Sequence, residues 1–135
     1  MERFRWGMYS FFALAFGALL YGIYRQDTYI GEIIGNLISV SLPTDSSLAA
    51  FAAWYFPDYL WMFSMNCALF AIMLPKGRDV LLWCSVALSS GVLWEILQFY
   101  DLVSGTADLW DIFMYSMAAF SAAMIALFIK KESKK

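Results

Sequence analysis

The chain has 135 residues, of which 62% are apolar and only 15% are charged. Soluble domains of this size carry about a quarter charged residues, so the composition argues against a soluble globular protein. The net charge of −2 and the absence of histidine also argue against a nucleic-acid partner and against the usual proton shuttle at neutral pH.

Four long apolar runs predict an all-α membrane protein, with one domain over residues 1–135 built as a bundle of four transmembrane helices. A helix needs about 20 apolar residues to cross a bilayer. The first run is long for a signal peptide and lacks a small-x-small cleavage site, so we expect a retained helix. The predicted spans are residues 6–24, 58–74, 80–100 and 108–129.

The stretch between the first and second spans is too polar to cross a membrane. Its isoleucine and leucine residues recur at helical spacing from Ile30 to Ile38, opposite Glu32 and Asn36. This pattern predicts a short amphipathic helical segment that lies in the interface or re-enters the bundle. Residues 48–56 form a second short apolar piece, which we expect Pro57 to end, because proline disfavours helix before it and starts helices well.

The basic residues are distributed unequally between the two sides of such a bundle. Eight of the nine Lys and Arg residues lie on the side of the two termini and of the loop between the second and third spans. Only Arg25 lies on the other side. The positive-inside rule therefore predicts that both termini are cytoplasmic.

Acidic and amide side chains gather where the third span ends and the fourth begins. The connecting turn is short, so these spans should pack antiparallel, with Glu95 opposite Asp111 and with Gly91 against the fourth span. A carboxylate beside hydrocarbon costs several kcal/mol unless it is compensated, so we predict a small polar pocket that opens to the outside. The candidate ligand-binding residues are Glu95, Gln98, Asp111, Asp108, Asp58 and Tyr115.

Several of these residues also have simpler structural interpretations. Asp108 is a good N-cap, and Asp111 would then be favoured by the helix dipole. Asp58 directly after Pro57 suits a first helical turn in the same way. Glu95 could hold the bundle together through hydrogen bonds. We expect the many aromatic and methionine side chains to pack or to face lipid.

Glu95 and Asp111 as a pair are compatible with two kinds of chemistry. Two facing carboxylates can share a proton and act as acid and base. They can also hold a divalent cation such as Mg²⁺ or Ca²⁺. Neither possibility identifies a substrate, so the sequence assigns no catalytic residue and no certain cofactor.

The order of these residues resembles that of the VanZ-like membrane proteins. The pattern E-x-x-Q, a short loop, then G-T-x-D-x-x-D-x-x-x-Y is present here from Glu95 to Tyr115. Pro57-Asp58 is similar to the Asp-led start of a helix in that family. The resemblance covers roughly residues 55–125.

The resemblance implies an envelope role in the bacterial cytoplasmic membrane, such as glycopeptide tolerance through binding of a lipid-linked precursor or wall component. Family members often have Lys, His and Arg where this chain has Tyr59, Met62 and Thr106, which weakens the expectation that an anion is bound. Two other functions stay open. A cation- or proton-coupled transport element would explain intramembrane acids, and a scaffold subunit would need no ligand.

Overall fold

The computed structural model describes residues 1–24, 33 and 47–132. All regular structure in these residues is helical: α1 (Glu2–Tyr24), α2 (Ser47–Met73), α3 (Asp79–Phe99) and α4 (Leu109–Glu132). The described residues thus confirm the all-α prediction. By length and composition, α1, α3 and α4 can each cross a membrane, which fits a multi-pass membrane protein. The predicted amphipathic or re-entrant segment lies outside the described residues, apart from Ile33.

α2 begins much earlier than predicted, because it starts at Ser47 and runs through Pro57 without a break. The prediction that residues 48–56 form a separate piece, and that a new helix starts at residue 58, was wrong. An interior proline removes only one helical hydrogen bond, and here its side chain is fully buried by the bundle. Asp58 is therefore an interior helix residue, and a first-turn position does not explain it.

α2 is the central helix of the bundle and packs against each of the other three. It runs antiparallel to α1, since the Ser10 and Ser64 hydroxyls lie 3.0 Å apart and the Trp6 and Phe70 ring centroids lie 5.1 Å apart. Asn66 and Phe70 are fully buried.

Small residues let α3 and α4 pack closely in an antiparallel arrangement. The Cys84 thiol donates to the Ala119 carbonyl over 3.5 Å. A Cβ atom on Gly91 would lie 2.6 Å from Met62 Cε and 2.8 Å from Tyr115 Cδ2. The predicted packing of Gly91 against the fourth span is thus confirmed, and Met62 of α2 is a second neighbour.

The end of α3 turns the chain back toward the start of α4. The N–H of Asp101 donates to the Gln98 carbonyl over 3.0 Å, and the N–H of Leu102 donates to the Leu97 carbonyl over 2.9 Å. This is the bonding pattern of a Schellman turn. Asp101 adopts φ +55°, where glycine is usual. The turn brings the C-terminus of α3 and the N-terminus of α4 together, and the candidate residues with them.

Candidate functional site

A cavity of about 440 Å³, here called the acidic cavity, lies where α3 ends and α4 begins. α1 contributes Tyr21 near its C-terminus, and α2 contributes residues around Asp58. All six candidate residues predicted from the sequence line this one cavity: Asp58, Glu95, Gln98, Asp108, Asp111 and Tyr115. Since they come from three helices, the bundle and not a single local motif brings them together.

Glu95 connects α3 to α4 through both of its carboxylate oxygens. Oε2 accepts the backbone N–H of Asp108 at 3.0 Å, and Oε1 accepts the Tyr115 hydroxyl at 3.0 Å. Only 4% of Glu95 is exposed, and two hydrogen bonds are what a buried carboxylate of this kind requires. The sequence placed Glu95 opposite Asp111; the hydrogen bonds go to Asp108 and Tyr115, while Asp111 lines the same cavity.

Asp108 is the N-cap of α4, as its simpler interpretation predicted. Its Oδ1 accepts the backbone N–H of Trp110 at 2.9 Å, and its Oδ2 accepts the Tyr55 hydroxyl at 3.1 Å. In a capping box, a side chain in the third helical position accepts the N–H of the N-cap residue. Asp111 holds that position here, but Glu95 of α3 is the acceptor.

Gln98 fixes the loop between α3 and α4. Its Nε2 donates to the Ser104 carbonyl over 3.3 Å, and its amide packs directly against Gly105, which adopts φ +132° and has no room for a side chain. The Gln98 Oε1 is buried and has no hydrogen-bond partner within the described ranges. The E-x-x-Q part of the sequence pattern therefore contacts the part that begins at Gly105. The Gln98 Oε1 is left as a hydrogen-bond acceptor at the cavity.

Aromatic side chains form much of the cavity wall. Of these, only Tyr115 was predicted from the sequence, because we expected the other aromatic residues to pack or to face lipid. Trp54 and Tyr55 precede Asp58 by four and three residues, which places them on the same helix face. This spacing was the signal that could have identified them. The aromatic residues of the wall are Tyr21, Trp54, Tyr55, Trp94 and Tyr115.

The charge of the acidic cavity is strongly one-sided. No basic residue occurs among the described residues that line it, whereas Asp58, Glu95, Asp108 and Asp111 all do. Carboxylates attract cations, and so do the faces of tryptophan and tyrosine rings. Over residues 1–24, 33 and 47–132, no group of three or more His, Cys, Asp or Glu residues is arranged to hold a metal ion.

Comparisons with models of protein families, with curated proteins and with solved structures return no match. The chemistry available to this site is therefore argued from its own geometry: a buried carboxylate with two donors, a capped helix, an amide oxygen without a partner and an aromatic wall.

Proposed function

We propose that the chain is a four-span, VanZ-like envelope protein that binds a cationic group of a lipid-linked or wall component in its acidic cavity. The observation that carries this proposal is the convergence of four carboxylates on one cavity that lacks a basic residue within the described part of the chain. The VanZ-like order of residues supports the envelope role. The negative charge of the acidic cavity supports the binding of a cationic group.

The groups around the cavity complement an ammonium ion by their hydrogen-bonding capacity and aromatic faces as well as by their charge. A primary ammonium group donates hydrogen bonds and accepts none, whereas a quaternary ammonium group has no N–H and is held by charge and by aromatic ring faces alone. The cavity offers carboxylates as acceptors, and the buried Gln98 Oε1 lacks a partner among the residues described. The indole rings of Trp54 and Trp94 add faces that attract a cation. The same charges repel phosphate, so a lipid-linked component would be recognised by its amine.

We propose that α2 is the fourth transmembrane span. Its 27 residues extend about 40 Å at the helical rise, which exceeds a hydrocarbon core of about 30 Å. Its antiparallel packing on α1 supports the crossing. With the basic residues inside, the cavity then opens on the outer face.

The alternatives are less well supported by the geometry. A proton relay uses charged groups along its path, yet the described residues contain no Asp, Glu, Lys or Arg in the helices between the cavity and the opposite ends. Acid–base catalysis by Glu95 and Asp111 is also disfavoured, because both Glu95 oxygens already accept hydrogen bonds from Asp108 and Tyr115. A scaffold role would leave the cavity without a ligand.

Binding of tetramethylammonium tests the proposal directly. The purified protein is placed in phosphatidylglycerol nanodiscs and titrated with tetramethylammonium chloride, and binding is read by calorimetry and by tryptophan fluorescence. We expect saturable binding that weakens about tenfold or more in Asp58→Asn and in Asp111→Asn, because each change removes one charge at constant shape. Asp79→Asn is the matched control, since Asp79 is an exposed acid at the other end of α3.

Two results would overturn the proposal. One is the lack of any saturable response to tetramethylammonium in the wild type; the other is an equal loss in Asp79→Asn. In cells, glycopeptide tolerance of the same variants and of Glu95→Gln tests the envelope role. If all variants retain the full phenotype at normal abundance, the scaffold interpretation replaces binding.

A further inference from the structure

A groove lies beside the acidic cavity, between α1 and α3. Both helices pack against α2, but in the described residues they do not pack against each other. The space between them has a volume of about 590 Å³ and a mostly apolar wall, here called the lateral groove. Leu14 of α1 and Trp61 and Met65 of α2 form part of this wall, and Gly91 lies at its back.

The lateral groove and the acidic cavity adjoin each other. Four residues line both of them: Tyr21, Asp58, Trp94 and Tyr115. The groove follows α2 from Asp58 to Met65, which is about 10 Å at the helical rise. The polarity therefore changes from carboxylates in the cavity to apolar side chains in the adjoining groove.

The side of the bundle on which the groove opens determines what can enter it. With α1, α2 and α3 as spans, the opening faces hydrocarbon and not water. The part of the groove near Leu14 and Met65 then contacts lipid chains, while Asp58 at its upper end contacts the acidic cavity. A molecule that fills both spaces needs a cationic head and an apolar tail.

We infer that the acidic cavity and the lateral groove form a single site for a membrane amphiphile with an ammonium headgroup. Its head lies among Asp58, Asp111 and the aromatic wall, and its hydrocarbon tail lies in the groove beside Leu14 and Met65. Such a ligand enters from the bilayer between α1 and α3. This inference rests on the proposed function and adds to it the class of ligand and the route of entry.

Two probes with the same headgroup distinguish the contribution of the groove to binding from that of the cavity. Dodecyltrimethylammonium has a tail and tetramethylammonium has none, and dodecanol supplies a tail without charge. All three are titrated calorimetrically in phosphatidylglycerol nanodiscs, whose host lipid has no ammonium group. Leu14→Trp fills the groove from a position that is 42% exposed, and Leu93→Trp, at a 55% exposed position of α3 outside the groove, is its matched control.

We expect Leu14→Trp to weaken dodecyltrimethylammonium binding about tenfold, the loss expected when roughly two methylenes lose their contacts. Tetramethylammonium binding should stay unchanged in this variant, and Leu93→Trp should affect neither probe. Dodecanol should bind far more weakly than dodecyltrimethylammonium, because it lacks the charge.

Several outcomes would overturn the inference while leaving the proposed function intact. In one, tetramethylammonium binds but Leu14→Trp leaves the affinity for dodecyltrimethylammonium unchanged. In another, dodecanol binds as tightly as dodecyltrimethylammonium. A third is that Leu14→Trp changes the oligomeric state measured by cross-linking, which would mean that a second copy covers the groove. Failure of tetramethylammonium to bind any variant overturns the proposed function instead.

Discussion

The Glu95 carboxylate accepts the backbone N–H of Asp108, the N-cap of α4, at 3.0 Å. In a capping box this acceptor belongs to the helix's own first turn, where α4 carries Asp111. The bond from Glu95 makes the start of α4 depend on α3. Asp111 also lines the acidic cavity. Glu95 thus has a structural role in addition to its negative charge.

The first prediction separates these two roles of Glu95. Glu95→Ala should lower the free energy of unfolding by about 3 kcal/mol, because the Asp108 N–H and the Tyr115 hydroxyl both lose a charged acceptor. Glu95→Gln should lower it by only about 1 kcal/mol, because the amide oxygen can replace one of the two acceptors. Unfolding in mixed detergent micelles, followed by circular dichroism, measures both values.

The partners of Glu95 provide the controls. Tyr115→Phe removes one of the two bonds, so it should add little to Glu95→Ala in a double-mutant cycle. Asp108→Asn should be mild, since asparagine caps helices about as well as aspartate. Wild-type stability of Glu95→Ala would show that the carboxylate does not join α3 to α4.

The second prediction concerns Gly91. An added Cβ would overlap Met62 Cε and the Tyr115 ring, so Gly91→Ala should destabilise the bundle by about 1–3 kcal/mol and Gly91→Leu by more. Gly7→Ala is the matched control, because nothing lies within 4 Å of its Cβ position and alanine is the better helix former. Thermal unfolding in detergent should move in opposite directions for the two alanine variants. A shift in the same direction would contradict the packing of α3 on α4.

The third prediction concerns the turn after α3. Asp101 is exposed and adopts φ +55°, where a residue with a Cβ is strained by about 1 kcal/mol. Asp101→Gly should therefore stabilise the protein by up to that amount, whereas Asp101→Val should destabilise it. Ser104→Gly, at a neighbouring exposed residue without positive φ, should give no gain. If both glycine variants have the same stability, strain at Asp101 is ruled out.

The fourth prediction is the orientation of the bundle. Ser104→Cys and Asp79→Cys place thiols at exposed positions at opposite ends of α3, in a background with Cys67 and Cys84 replaced by alanine. An impermeant maleimide should label Ser104→Cys in intact cells and should label Asp79→Cys only after permeabilisation. The reverse pattern would place the acidic cavity on the cytoplasmic side.

Residue spacing predicted which side chains would lie close together better than it predicted the extent of α2, the helix that carries Asp58. Helical spacing and a short turn were enough to bring Glu95 and Asp111 to one place, because an antiparallel pair leaves little freedom. The extent of α2 was not predictable, since the effect of Pro57 depends on its burial between neighbouring helices. The bond from Glu95 to Asp108 depends on how far each helix is rotated about its axis, which residue spacing alone does not determine.

Pro57 also determines where α2 can bend. Proline has no N–H, so the carbonyl of Ala53 has no helical donor four residues further on, and helices kink most readily at such positions. Trp54 precedes Pro57 and Asp58 follows it, so two walls of the acidic cavity lie on opposite sides of the proline. A small bend there would alter the aperture between the indole and the carboxylate while the Phe70 end of α2 stays in place. For a headgroup bound as we propose, the size that fits would therefore depend on the stiffness of one helix as well as on the volume of the cavity.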